Sequence, residues 1–272
     1  MEGTIPTEPE WRALVEKELG GVPFEKALVQ QALDGVAIAP LYTTRPQGAF
    51  RELRAGAVRL CTRFSPGTAE EDLRCGADAL WLNADALDAV LPASTACVVD
   101  PGSLAALAAA DRAAARASAV LCVDPIARTA AGNAGPLAAE LQALPAVARA
   151  LGAGRPAVAI STLAWHDAGA DAADELACAL STLALYLKRL DDPSQLSFRI
   201  AVGRETFLEL GKLRALRACH AKLLSAAGVR EPPRPLVHAV CSSRTLTVRD
   251  PWVNLLRVST QKAWAEHDLE YR

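Results

Sequence analysis

Short apolar runs alternate with helix-like stretches along the chain from residue 59 onward. A strand of a parallel sheet is covered by helices on both faces, so nearly all of its residues are apolar. The runs of this kind are 59–64, 79–83, 95–100, 119–124, 157–161, 197–202 and 236–242. The pattern therefore predicts an α/β protein built on a parallel sheet of about seven strands.

This strand count is one short of a closed barrel. A closed TIM-type (βα) barrel has eight strands, whereas the run at 236–242 is followed by a single predicted helix before Arg272. We expect an incomplete TIM-type (βα) barrel over residues 51–272, unless an N-terminal piece completes the sheet. An open sheet edge exposes unpaired backbone groups and favours pairing with another chain.

Residues 1–50 have a different pattern and predict a separate N-terminal segment. Thr7 with an acidic residue three positions later is a capping-box signal, and apolar residues at helical spacing follow it. The segment therefore begins with a predicted amphipathic helix over 7–19.

A hairpin is predicted next in the same segment. Residues 24–32 and 36–43 are expected to be extended, and Asp34-Gly35 between them is typical of a hairpin turn. A lone hairpin is marginally stable in water. We therefore expect an arm without a core of its own, which buries its apolar side chains against another subunit.

Charge and hydropathy do not favour nucleic acid or a membrane as a partner. The formal net charge is -2 and the basic residues are scattered, which does not favour nucleic acid or an anionic membrane surface. The first residues carry acids where a secretion signal needs basic and apolar residues, and no run approaches the roughly 20 apolar residues of a membrane span. We expect a cytoplasmic protein.

The metal-ligating residue types do not cluster. Seven cysteines occur without a CxxC spacing, and four histidines lie apart from acids and cysteines. Buried thiols are the expected state of these cysteines, with a metal or redox site as the alternative. No metal site is predicted.

Four stretches carry a family resemblance. They are DGVAIAPLYT (34–43), ISTLAWHDAGADAADELACALSTLALYLKRL (160–190), LSFRIAVGRETFLELGKLRALRACHAKLL (196–224) and SSRTLTVRDPWVNLLRVSTQ (242–261). In this order they resemble the methylmalonyl-CoA mutase family. The resemblance implies a barrel in which a catalytic subunit uses adenosylcobalamin to rearrange an acyl-CoA thioester.

The resemblance also shows which functional groups are missing. The Tyr-His pair of the catalytic motif falls on Leu163 and Ala164, so no catalytic residue is expected in this chain. The substrate-binding Arg before the LSF motif falls on Gln195, although Ser197 persists. In the H-x-Q-T-S-G-W-S motif the His is kept as His238, whereas the Gln and Trp that face the cofactor are absent.

His166 is similar to the His in the aromatic-His-Asp sequence of the family's small, non-catalytic subunit. His166 and Asp167 could be a general acid and its orienting partner. The alternative is that His166 satisfies loop backbone groups while Asp167 caps the next helix. The candidate substrate-binding residues are Gln195, Ser197, His166 and His238.

Two further groups of polar residues have open alternatives. Lys212, Arg214 and Arg217 could clamp a CoA phosphate, or form a solvated or inter-subunit helix face. Asp250-Pro251 predicts a helix start, and Asn254 is expected to bond a neighbouring loop.

The favoured function is that of a non-catalytic small subunit of an adenosylcobalamin-dependent acyl-CoA mutase. The implied partner is a catalytic large subunit in a heterodimer that interconverts methylmalonyl-CoA and succinyl-CoA, with a homodimer as the other assembly. Adenosylcobalamin is expected in the partner and no cofactor in this chain, because the cobalamin-binding DxHxxG signature is absent. The alternatives are a stand-alone CoA-thioester-binding protein or isomerase with altered chemistry, and a regulatory pseudoenzyme.

Overall fold

The computed structural model describes residues 6–33, 36–43, 59–86, 95–104, 106, 119–133 and 135–270, with the backbone alone at 32–33, 36, 119, 206 and 261–270. Within it the chain forms two compact units, Met1–Glu52 and Leu53–Arg272. In the described residues, no helix combines the length and the apolar character that crossing a membrane requires.

The described residues of the first unit form two helices and a two-stranded antiparallel sheet. Its elements are α1 (Glu8–Glu18), α2 (Phe24–Leu28), β1 (Gln30–Leu33) and β2 (Val36–Ile38). The predicted capping box is present, since Glu10 Oε2 accepts a hydrogen bond of 2.8 Å from the Thr7 backbone N–H. The prediction that residues 24–32 form an extended segment is wrong for its first part, which forms α2.

A small aromatic contact joins α1 to α2 in the first unit. The Trp11 and Phe24 rings meet edge to face with centroids 6.0 Å apart, and the Arg12 guanidinium lies 4.4 Å from the Phe24 centroid. Phe24 is buried as a result. Among the described residues of this unit Phe24 is the one buried hydrophobic side chain, whereas Leu14, Leu41 and Tyr42 are exposed.

The second unit has the seven predicted strands, most of them with shorter bounds. They are β3 (Cys61–Arg63), β4 (Ala79–Asn83), β5 (Ala96–Asp100), β6 (Ala119–Leu121), β7 (Val158–Ser161), β8 (Leu196–Val202) and β9 (Leu236–Cys241). The described helices are α3 (Ala69–Arg74), α4 (Pro125–Ala130), α5 (Leu137–Leu151), α6 (Leu163–Ala168), α7 (Ala172–Leu187), α8 (Thr206–Ala226) and α9 (Pro251–Glu270).

All these strands are parallel and follow chain order. One sheet has the order β3-β4-β5-β6 and a second has the order β7-β8-β9. A single parallel bridge between Val123 and Val158 links the end of β6 to β7. The predicted α/β class is confirmed. Among the described residues no pairing joins β9 to β3, so a closed barrel is not found.

The two faces of the sheet differ in chemistry. The face under the helices is apolar and includes Leu80, Leu82, Val99, Leu121, Ile160, Phe198 and Ile200, all nearly inaccessible to solvent. The opposite face carries Trp81, Asp100, Arg199 and His238. We call this second surface the concave face, because side chains from distant strands touch across it.

Side chains from distant strands touch across the concave face. The Trp81 ring of β4 and the His238 ring of β9 have centroids 5.3 Å apart. In a flat sheet, with neighbouring strands about 4.8 Å apart, the four strands between them would separate these rings by more than about 20 Å. The sheet is therefore strongly curled, with the polar face inside the curl.

Candidate functional site

Six buried polar side chains meet beyond the carboxyl ends of β7, β8 and β9. We call this group the strand-end network, and its members are Thr162, His166, Glu175, Glu209, Lys212 and Ser242. Sites in parallel α/β folds lie at this end of the strands, where the loops into the following helices converge. The network is therefore the first place to look for chemistry.

Glu175, in the first turn of α7, is the centre of the strand-end network. Its Oε1 accepts a hydrogen bond of 2.7 Å from His166 Nδ1, and its Oε2 accepts one of 2.8 Å from Thr162 Oγ1. Burial by itself raises the pKa of Glu175, but these hydrogen bonds and the Lys212 charge outweigh it and hold the pKa below its ordinary range. Glu175 is therefore an ionised acceptor.

Lys212 on α8 supplies the opposite charge. Its Nζ lies 2.7 Å from Glu209 Oε2 and 3.3 Å from Glu175 Oε1, and it donates to the Ala201 carbonyl at 2.7 Å. Three acceptors thus surround an ammonium that has three protons. Lys212 points into the protein, so neither the phosphate clamp nor the solvated face describes it.

His166 joins Glu175 to Ser242, since its Nε2 lies 2.6 Å from Ser242 Oγ. The order Ser, His, Glu is that of nucleophile, base and orienting acid in serine hydrolases. Ser242 is only 2% exposed, however, and Glu175 also pairs with Lys212. The arrangement therefore supports a structural role, in which one imidazole ties the end of β9 to the start of α7.

Both roles predicted for Asp167, orienting His166 and capping the next helix, are wrong. Asp167 is exposed and accepts from Ser243 Oγ at 3.1 Å, so it does not orient His166. The cap of α7 is Asp171, whose Oδ1 accepts from the Ala173 and Asp174 backbone N–H groups. His166 is fixed by side chains rather than by loop backbone.

Gln195 and Ser197 lie near the other end of the sheet. Gln195 Nε2 donates to the Ala148 and Gly152 carbonyls at 2.6 and 2.9 Å, and so holds the end of α5 against β8. Ser197 Oγ donates to the Val158 carbonyl at 3.0 Å. The structure does not bring these two residues together with His166.

Leu163 and Ala164 begin α6, directly after the end of β7. Both are partly buried and lie next to Thr162 of the strand-end network. Their apolar side chains offer no proton donor or acceptor at this point.

The concave face holds a second polar group, centred on Arg199 of β8. Arg199 Nη1 donates to Asp100 Oδ2 at 2.7 Å, and its Cζ lies 4.7 Å from the Trp81 ring centroid. His238 contacts the same indole, and burial together with the Arg199 charge lowers the pKa of His238 to about 4. His238 is therefore a neutral imidazole near pH 7.

Sequence reasoning selected His238 but missed Arg199, Asp100 and Trp81. A signal was available, because Arg199 is a charged residue inside the apolar run 197–202. A charge in a buried strand requires a partner, but the sequence does not show which one.

The described His, Cys, Asp and Glu residues were compared with the arrangements that metal sites and reactive thiols require. Within the described part of the chain, no three His, Cys, Asp or Glu residues converge as metal ligands would. Cys97 and Cys122 are buried, as expected for structural thiols, whereas Cys75 and Cys241 are exposed.

Two predictions near α9 are confirmed. Asp250 Oδ1 accepts from the Trp252 backbone N–H at 3.1 Å, in front of a helix that begins at Pro251. Asn254 bonds the preceding loop twice, through the Thr247 N–H at 2.9 Å and the Thr247 carbonyl at 2.8 Å.

Comparisons of the sequence with known proteins identify similar chains. The family model described as Methylmalonyl-CoA mutase matches residues 153–266. The methylmalonyl-CoA mutase small subunit of Streptomyces virginiae is 31% identical over 93% of this chain and 50% of the relative. That of Propionibacterium freudenreichii subsp. shermanii is 30% identical over 95% of this chain and 50% of the relative. A large subunit from Porphyromonas gingivalis is 33% identical over 37% of this chain and 15% of the relative.

The curled parallel sheet, with buried polar groups where its strands end, defines a βα-type protein of the kind that hosts many enzyme activities. The chain belongs to the methylmalonyl-CoA mutase family. It spans about half the length of the two small subunits that it matches over most of its own length.

Proposed function

We propose that this chain is the barrel part of a non-catalytic small subunit of an adenosylcobalamin-dependent acyl-CoA mutase. A catalytic large subunit beside it would interconvert methylmalonyl-CoA and succinyl-CoA. The observation that carries the proposal is the start of α6, where Leu163 and Ala164 stand in place of the family's catalytic Tyr-His pair. Apolar side chains there cannot exchange a proton with a substrate.

The proposed architecture is a TIM-type barrel. Seven parallel strands in chain order and contact between β4 and β9 across the concave face support it. In such a barrel the helices cover the outside, which fits the apolar face under α5, α7 and α8.

The described residues of this chain do not fit the role of holding cobalamin. An accessible imidazole is the usual protein ligand for a transition metal. His166 has both nitrogens engaged, while His220 is buried and His238 is largely buried on the concave face. We therefore assign the cofactor to the proposed large subunit and derive no step through it.

The N-terminal unit is the proposed partner-binding arm. Tyr42 is 68% exposed, and Leu14 and Leu41 are also exposed apolar side chains of this small unit. Aromatic residues are enriched in the centres of protein interfaces. A heterodimer with the large subunit is the proposed assembly, and a homodimer is the form expected without it. All seven cysteines are free thiols, which suits a reducing cytoplasm.

Co-expression with a methylmalonyl-CoA mutase large subunit tests the proposal. We expect one complex in size-exclusion chromatography and mutase activity in that complex, with none in this chain alone. The double variant Leu163→Tyr with Ala164→His should also stay inactive alone, because groups that act as a unit are not additive. Turnover by the isolated chain, or failure of the two chains to associate, would refute the small-subunit role.

Two single variants locate the interface. Tyr42→Ser should weaken association, whereas Val248→Ser, which removes an apolar side chain that is 99% exposed and lies outside the arm, should not. Equal losses of affinity in the two variants would show that the arm is not the specific contact.

A further inference from the structure

We propose that two copies of this chain associate through an apolar stripe on α9, which we call the α9 stripe. Its members are Trp252, Leu255, Leu256 and Ser259. The inference goes beyond the small-subunit role, because the contact joins two copies of this chain and uses neither a large subunit nor the N-terminal arm. It rests on which side of α9 the rest of the molecule covers.

One side of α9 faces the protein. The helix packs against α8 and β9, and in its first half the partly buried side chains are those of Val253, Asn254 and Arg257. Asn254 bonds Thr247 of the preceding loop, and Arg257 Nη1 donates to the Thr245 carbonyl at 2.5 Å. These contacts fix the rotation of the helix about its axis.

The opposite side of α9 is apolar and exposed. Trp252, Leu255 and Leu256 are 76%, 60% and 71% exposed. Residues at positions i, i+3, i+4 and i+7 lie on one face of a helix, so these three residues and Ser259 form one continuous stripe. No residue that the structure describes covers it. A contiguous exposed apolar surface on a folded protein is typical of a contact site.

The chemistry of the α9 stripe selects the kind of partner. None of its four residues is charged, so ion pairs contribute nothing here and the covering surface is expected to be apolar as well. The Ser259 hydroxyl donates to the Leu255 carbonyl of the same helix at 2.7 Å, so covering the stripe leaves no hydroxyl proton unpaired. The same stripe on a second copy is a surface of this kind.

The α9 stripe is also complementary to itself. Two α9 helices that pack antiparallel about a two-fold axis between Leu255 and Leu256 place each of these leucines against the other leucine of the second copy. The same axis places the large Trp252 against the small Ser259 of the second copy. Pairing of large with small side chains lets the two helices approach closely. The formal net charge of -2 adds little repulsion between copies.

The size of the stripe agrees with a weak dimer. Taking about 200 Å² for a fully exposed large apolar side chain, its three apolar residues leave roughly 400 Å² exposed per copy. Two copies would then bury roughly 800 Å² of apolar surface. Apolar atoms make up about 65% of a homodimer interface, so the total is about 1,200 Å², the lower end of the range for specific interfaces.

Analytical ultracentrifugation of the whole purified chain, from about 1 to about 200 µM, tests the contact. We expect a reversible equilibrium between monomer and dimer with a Kd in the micromolar range. A chain that stays monomeric at every concentration would overturn the proposal, and it is the result expected if a different protein covers the stripe.

A charge placed in the stripe tests its location. Leu256→Glu brings two like charges together in the dimer and should weaken dimerisation by about tenfold or more. Glutamate is nearly as good a helix former as leucine, and circular dichroism checks that α9 stays folded. Val248→Glu adds the same charge at a 99% exposed position outside the stripe and is the matched control, which should dimerise normally. Equal losses in the two variants would contradict the proposal.

A larger side chain tests the antiparallel arrangement. Ser259→Trp enlarges the apolar surface but places a second indole opposite Trp252, so it should weaken dimerisation. Stronger association would show non-specific adhesion of apolar surfaces and would overturn the proposed pairing. Tyr42→Ser, in the arm, should dimerise normally, and a loss in that variant with none in Leu256→Glu would assign the contact to the arm instead. No measurement needs a large subunit, so this inference and the small-subunit proposal can fail independently.

Discussion

At the scale of single residues, Asp124 connects three elements of the second unit through one carboxylate. Its Oδ1 caps α4 by accepting from the Ile126 and Ala127 N–H groups. The same oxygen accepts from Tyr186 Oη on α7 at 2.7 Å, and Oδ2 accepts from the Ser161 N–H of β7 at 2.9 Å. Burial raises the pKa of Asp124, against the opposing effect of these hydrogen bonds.

Tyr186→Phe tests this connection. Loss of the hydroxyl removes one hydrogen bond from a buried carboxylate and should lower the free energy of unfolding by about 1–3 kcal/mol. Urea denaturation followed by circular dichroism measures the change. Tyr42→Phe is the matched control, because its hydroxyl accepts from the Ala39 N–H at an exposed position, where changes stay within about 0.5 kcal/mol. Equal losses of stability in the two variants would show that the hydrogen bond from Tyr186 to Asp124 does not stabilise the fold.

Lys212→Met tests the strand-end network. Removing the ammonium leaves Glu175 and Glu209 buried near each other without a cation, which should cost about 3–5 kcal/mol. The same urea denaturation applies. Lys222→Met removes an exposed ammonium from the same helix and should have little effect. A small effect of Lys212→Met would mean that the two carboxylates tolerate the loss by taking up a proton.

At the scale of elements, the strands and several helix caps could be predicted from the sequence, since both depend on local pattern. The contacts that build the polar groups could not. Arg199 and Asp100 are 99 residues apart, and His166 and Ser242 are 76 residues apart, so no periodicity relates them. The extended reading of 24–32 failed because α2 is short and is held by Phe24 packing on Trp11.

The start of α9 offers a test at this scale. Asn254→Ala removes both hydrogen bonds to Thr247 and should free the loop before the helix, with a stability loss of about 1 kcal/mol. Hydrogen exchange should then speed up at residues 243–250 and remain unchanged in β8. Asn133→Ala, in the exposed loop after α4, is the control. Faster exchange throughout the second unit would indicate general destabilisation instead.

At the scale of the whole molecule, two buried imidazoles make stability depend on pH. Burial lowers the pKa of His220 from its ordinary 6.5 to about 4, and burial with the Arg199 charge does the same for His238. The unfolded chain binds these protons near pH 6.5 and the folded chain near pH 4. Their stabilising contribution is therefore complete above pH 6.5 and is lost as the pH falls from 6.5 to 4.

Urea denaturation across this pH range measures the effect. Each histidine should change the free energy of unfolding by up to about 1.4 kcal/mol per pH unit. The variant His220→Leu should therefore show a smaller pH dependence, because the contribution of one histidine is lost. Glu175, with its lowered pKa, adds a further loss at more acidic pH. A stability that does not change between pH 6.5 and 4.5 would contradict the neutral state of the buried rings.

The chain-order sheet has a consequence for the order of folding events. Each parallel ladder closes only one strand-helix-strand stretch of chain, whereas the Arg199–Asp100 pair spans 99 residues. Closing longer loops costs more entropy before any contact forms. The pairings between neighbouring strands should therefore form before the folding transition state. The Arg199–Asp100 ion pair should form after it. Asp100→Asn should then accelerate unfolding in stopped-flow measurements and leave the folding rate nearly unchanged.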